Sequence, residues 1–149
     1  METIDVAVPG DLEVPRVSRR ALRALMPPEV RRAFPALYWS EEQLWALATP
    51  ASDLDVRKLS WLIDLPVWRW RGKRFQVSIR DMLERPDEYA AHVAKAMSAD
   101  LGFPIHVMRH RGRLVILDGY HRLLKTLLLG RGSISAVAVR RDQLEAGVA

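Results

Sequence analysis

Leu114-Val115-Ile116-Leu117-Asp118-Gly119-Tyr120-His121-Arg122-Leu123-Leu124-Lys125 is the stretch whose reading decides the fold. Its first four residues are apolar and mostly branched, as in a buried strand. Asp118-Gly119 breaks the strand, and Leu123, Leu124, Leu127 and Leu128 then recur at helical spacing, with Gly130 placed to cap the carboxyl end. Where a strand stops and a helix starts, unpaired backbone N–H groups and the positive end of the helix dipole gather, and together they attract phosphate.

The side chains at this turn fit an anionic ligand. Gly119 lets the backbone approach closely or adopt a positive φ. Arg122 offers a bidentate fork, and Lys125, one turn on, adds a point charge. His121 can donate a hydrogen bond and, when protonated, add charge. Asp118 has three readings: it holds a divalent ion that bridges phosphates, accepts a proton from a substrate hydroxyl, or caps the helix amides.

Outward from this segment, Pro104–Arg109 and Arg113–Leu117 read as a hairpin joined by His110-Arg111-Gly112, and Ile134–Val139 supplies a last strand. Upstream, Leu59–Leu65, closed by Pro66, reads as a buried strand. Trp68-Arg69-Trp70 and Arg74–Val77 read as a second hairpin, tryptophans inward and arginines outward. The same aromatic-basic run is the pattern by which single-strand binders stack bases and track phosphates. Ser78 with Asp81 starts one helix, and Pro86 opens another through Ser98 with Tyr89, Val93, Ala96 and Met97 on one face. Farther toward the amino terminus, Ser18 caps a helix over Arg19–Leu25, Pro28 opens one through Phe34, and Ser40 with Gln43 has capping-box spacing for one to about Ala48. Residues 1–17, with Pro9, Gly10 and Pro15, read as an arm.

The whole chain has 149 residues, 49% of them hydrophobic and 28% charged, which suits one domain with a sizeable core. The absence of cysteine excludes disulfides, thiolate metal sites and a catalytic thiol. The acidic start, Met1-Glu2-Thr3-Ile4-Asp5, is not that of a signal peptide. No apolar run reaches the ~18 residues that span a bilayer, so a cytoplasmic protein without a membrane partner is expected. The net charge of +5 favours anionic partners, nucleotides or nucleic acid. His92, His106 and His110 are too scattered for a metal site and read as structural. Asp64 and Asp100 read either as a second carboxylate for a metal or as turn and cap residues.

Asp118-Gly119-Tyr120-His121-Arg122 resembles the motif that ends a strand in the ParB/sulfiredoxin superfamily. It is closest to the Asp-Gly-His-His-Arg of the free serine kinases. Asp100–Val107 resembles the ParB box that leads into the preceding strand. The likeness covers about residues 59–140. It implies an α/β (α+β) fold, a small mixed sheet flanked by helices, with residues 1–58 as an arm and helical extension and 59–149 as the ParB/sulfiredoxin-like domain of one compact unit. It also implies nucleotide phosphates on Gly119, His121 and Arg122, Asp118 as the kinase-like acid, and Pro104 as part of the pocket wall.

Tyr120 stands where sulfiredoxins carry cysteine, which excludes their reaction. Asp100 stands where the ParB box usually has glycine. Only 27 residues follow Arg122, against the further domains of partition proteins. The leading expectation is therefore binding of ATP, ADP or CTP with Mg2+-assisted phosphoryl transfer to a small hydroxyl compound. Asp118 and His121 are its catalytic residues, Gly119, His121, Arg122, Lys125 and Pro104 its phosphate site, and Asp118 with Asp64 its metal ligands. The alternatives are a non-catalytic, nucleotide-gated binding module and a ParB-like DNA-associated protein.

Overall fold

The computed structural model describes residues 19–145. The arm and the Ser18 cap expected from the sequence lie outside that range. Three short helices come first, α1 (Arg19–Leu25), α2 (Pro28–Ala33) and α3 (Glu41–Trp45). Pro28 sits in the first turn of α2, where its missing N–H costs nothing. Ser40 and Gln43 close a full capping box on α3, which ends earlier than expected. The chain continues through β1 (Ser52–Asp55), a 3-10 helix (Val56–Asp64), the hairpin β2 (Trp68–Trp70) and β3 (Lys73–Val77), then α4 (Ile79–Glu84) and α5 (Ala90–Met97). Last come the hairpin β4 (Ile105–His110) and β5 (Arg113–Asp118), α6 (Tyr120–Leu128), β6 (Ser133–Ala138) and α7 (Arg141–Glu145).

The fold is α+β, with a four-stranded mixed sheet in the order β1-β6-β4-β5. β4 pairs antiparallel with β5 and parallel with β6, and β1 pairs antiparallel with β6 at the edge. Alternation along the strands gives the sheet two apolar faces. Ile105, Val107, Ile116, Ile134 and Ala136 pack with Leu59, Leu62, Met82, Leu123 and Leu124 on one side. Met108, Val115, Leu117, Val137 and Val139 pack with Val30, Phe34, Trp39, Leu44 and Leu144 on the other. The amino-terminal helices therefore cover a sheet face that would otherwise be wet, and share one core with the rest.

Several expectations are corrected. Leu59–Leu65 is not a strand but belongs mostly to the 3-10 helix, where Leu59 and Leu62, three residues apart, are both buried. Asp55 starts it by accepting from the Arg57 N–H at 2.9 Å. The edge strand lies just upstream instead, in the polar Ser52–Asp55. In the β2–β3 hairpin it is Arg69 that is buried, at 4% exposure, while Trp68 and Trp70 are half-buried. That hairpin stands apart from the main sheet and lies across α5 and α6, so both its faces meet protein. Trp68 packs on Tyr120 and His121, and Trp70 on Tyr89 and His92. The α5 helix also begins later than Pro86, and Met97 is 40% exposed rather than in the core.

Candidate functional site

β5 ends at Asp118, and Gly119 turns the chain with φ 117°. A Cβ at this residue would lie 2.4 Å from Ile105 Cγ2 and 2.9 Å from Ile105 Cβ, so the position excludes every side chain. The close approach draws the start of α6 onto β4. No side chain caps α6, and its first backward bond is from the Leu123 N–H to the Gly119 carbonyl. The N–H groups of Tyr120, His121 and Arg122 thus have no acceptor within the helix.

Asp118 does not cap these amides. It is the last residue of β5, and across the Gly119 turn Arg122 Nη2, on the first turn of α6, donates to Asp118 Oδ2 at 2.8 Å. Arg122 Nη1 donates to the Pro104 carbonyl at 2.9 Å, which ties α6 to the segment entering β4. Trp45 Nε1 also donates to Asp118 Oδ2, at 3.3 Å, and His106 Nδ1 lies 3.7 Å from the same oxygen, beyond a hydrogen bond. Burial alone would raise the Asp118 pKa, but His106, Arg122 and the Trp45 indole outweigh it and hold the carboxyl below its ordinary range. Asp118 is therefore an anion clasped by Arg122.

The other residues singled out in the sequence are placed differently. His121, one position from Arg122, points about 100° away around the helix, and its ring packs on Trp68 with centroids 5.3 Å apart. Burial, assisted by the neighbouring charges of Lys95, His92 and Arg122, lowers its pKa to about 4, so it is neutral near pH 7 and adds no charge to a phosphate site. Lys125 Nζ donates to the Ala99 carbonyl at 2.7 Å and fastens α6 to the end of α5. Asp64 is on the surface, paired with Arg80. Asp100 accepts from the Gly102 N–H at 2.8 Å as a turn residue. His92 is fully buried, 2.8 Å from the Arg69 carbonyl.

Two cavities flank the turn and share no lining residue. The larger, about 600 Å3, is bounded by Trp45, Phe103, Pro104, His106, Arg122 and Val137, among others. It has the size of a ligand pocket. Its two outer aromatics, Trp45 and Phe103, are 59% and 64% exposed, and Arg122 is its cation. The smaller, about 240 Å3, borders Asp118, Gly119, Tyr120 and His121 and is roofed by α1, α2 and the β2–β3 hairpin. The structure thus brings together Asp118, Gly119, Arg122 and Pro104. His121 faces the second cavity, Lys125 serves the scaffold, and Asp64 lines neither.

Sequence reasoning missed Trp45 and His106. A regular two-residue hairpin would set His106 opposite Leu117, but an irregularity between His106 and Val107 moves the pairing to Asp118. Nothing in the sequence signals that bulge. Comparison with protein-family models, curated proteins and solved structures returns no match. No helix among the described residues is long and apolar enough to cross a membrane.

Proposed function

We propose that this chain is a ParB/sulfiredoxin-like, cytoplasmic nucleotide-binding protein that transfers a phosphoryl group from ATP or a related nucleotide to a small hydroxyl compound. The observation that carries the reading is the uncapped first turn of α6 beside Arg122 at the wall of the larger cavity. The amides and dipole of that turn and the Arg122 guanidinium would act together on one phosphate. Phosphate oxygens would take the N–H groups of Tyr120, His121 and Arg122 and compete with Asp118 for the Arg122 fork. The base would lie between Trp45 and Phe103. In the transfer step the acceptor oxygen forms a bond to the terminal phosphorus. The bond to the bridging oxygen breaks with its electron pair left on the nucleoside diphosphate, and the hydroxyl proton passes to Asp118.

The donor set does not by itself make a metal site. Among the described residues no three His, Asp or Glu side chains converge, and Asp64 is paired with Arg80 on the surface. Mg2+ would enter on the nucleotide's own phosphates.

One observation favours a second reading, the nucleotide-gated module. The Asp118–Arg122 clasp, its side chains 13% and 16% exposed, is a latch that an incoming phosphate would open. Calorimetry with ATP, ADP and CTP, with and without magnesium, tests the shared claim. Arg122→Ala is expected to weaken the preferred nucleotide at least tenfold, since a charge-assisted bond is worth about 1.5–3 kcal/mol. Unchanged heat in that variant removes Arg122 from the site. Asp118→Asn separates the readings. Binding retained with product formation lost supports transfer, and a wild-type protein that binds without forming product supports the module.

A further inference from the structure

The smaller cavity lies apart from Arg122. It is walled by the rings of Phe34, Trp39, Trp68 and Phe75 together with aliphatic Leu22 and Val30. A cavity of about 150 Å3 already holds a benzene, so about 240 Å3 accommodates a substituted single ring. Two polar atoms of residues that line it, Tyr120 Oη and His121 Nε2, are buried and have no hydrogen-bond partner. Buried polar atoms are rarely left so, because each costs about 1–3 kcal/mol. Both belong to consecutive residues, and both rings pack on Trp68, at 5.9 and 5.3 Å between centroids.

We propose that this cavity is a binding site for a small, uncharged, single-ring molecule bearing a hydroxyl group. The aromatic walls take the ring edge-on or offset. The hydroxyl supplies what the two orphan atoms lack: its oxygen accepts from Tyr120 Oη–H and its proton is offered to the imidazole of His121. Arg23 donates to the carbonyls of Phe34 and Pro35. Arg23, Arg69 and Lys95 are the cations among the lining residues and Glu41 and Asp118 the carboxylates, and a carboxylate probe measures their net pull. The inference does not rest on nucleotide binding: it uses the side chains of Tyr120 and His121, whereas phosphate would use their backbone N–H groups.

The test titrates the full chain, without nucleotide, with phenol, toluene and benzoate, following the Trp68 indole and the Tyr120 and His121 amides by NMR. Phenol is expected to bind at least tenfold more tightly than toluene or benzoate. Tyr120→Phe is expected to shrink the phenol-to-toluene ratio at least threefold while leaving thermal stability unchanged or raised, since the hydroxyl it removes has no partner to lose. Equal binding of phenol and toluene would mean that water satisfies the two atoms, and would overturn the proposal. So would failure of all three probes to bind, benzoate binding most tightly, or an unchanged ratio in Tyr120→Phe.

Discussion

Gly119→Ala is expected to destabilise the fold by about 2–6 kcal/mol, the sum of a strained backbone, about 1–3 kcal/mol, and an overpacked contact, about 1–3 kcal/mol. The added methyl meets Ile105 Cγ2 at 2.4 Å and Cβ at 2.9 Å, with backbone Cα at 3.2 Å behind them. Ile105 is fully buried in the core strand β4 and cannot swing away. The residue also sits at φ 117°, outside the range an L side chain tolerates. Since domains of this size are stable by only about 5–15 kcal/mol, the variant should melt more than about 10 °C lower. It should also misplace the first turn of α6 and so lose nucleotide binding. Thermal melts followed by circular dichroism check this. A variant that melts within a degree or two of the wild type would show that the strand-to-helix turn is not held against β4 in this way.

The second large effect is expected from pH. His121 has an ordinary value of 6.5 and a folded value of about 4, set first by burial and then by Lys95, His92 and Arg122. Between those values the unfolded chain binds the proton and the folded chain refuses it. Stability is therefore complete above pH 6.5 and falls as the solution is acidified toward 4. A displacement of this size corresponds to a loss on the order of 2–3 kcal/mol. His121→Gln carries no proton and should lose that share of the slope, leaving whatever belongs to other groups. Urea unfolding of both proteins near pH 7 and near pH 4 measures it. Equal slopes would mean that the imidazole titrates normally and is not held in an apolar wall.

The order of most elements was legible because local chemistry states it. Ser40 with Gln43 and Ser78 with Asp81 close capping boxes, Arg111-Gly112 and Arg71-Gly72 turn two hairpins, and Gly119 and Gly130 bound α6. What failed depended on partners distant in sequence. An apolar run such as Leu59–Leu65 reads as strand or helix alike, and only packing against Trp61's acceptor, the Leu114 carbonyl, and the core decides for the 3-10 form. Ser52–Asp55 has too few apolar residues to announce an edge strand, yet β6 captures it. Arg69 is buried because a hairpin detached from the sheet has two covered faces, a fact that alternation cannot express.

The candidate site was legible in part for the same reason. Asp118, Gly119 and Arg122 lie within one strand-to-helix turn, so the local sequence already placed them close together. Pro104 joined them through its carbonyl, which no side-chain pattern encodes. His121 was expected at the phosphates as a hydrogen-bond donor and from the likeness of Asp118–Arg122 to the family motif, but adjacent residues on a helix diverge, and its ring packs on Trp68 at the second cavity. Lys125 has the right spacing to reach a ligand, but the Ala99 carbonyl lies closer. Trp45 and His106 reach Asp118 only through α3 and an irregular strand register.

The central claim is that the opening turn of α6 and the guanidinium beside it receive phosphate. Titration of the isotopically labelled chain with ADP, read at individual backbone and arginine side-chain N–H signals, tests it most directly. The account predicts saturable shifts at the Tyr120, His121 and Arg122 amides and at the Arg122 guanidinium, as that group leaves Asp118 for the ligand. Shifts confined to other parts of the chain, with these signals unmoved at saturation, would contradict it.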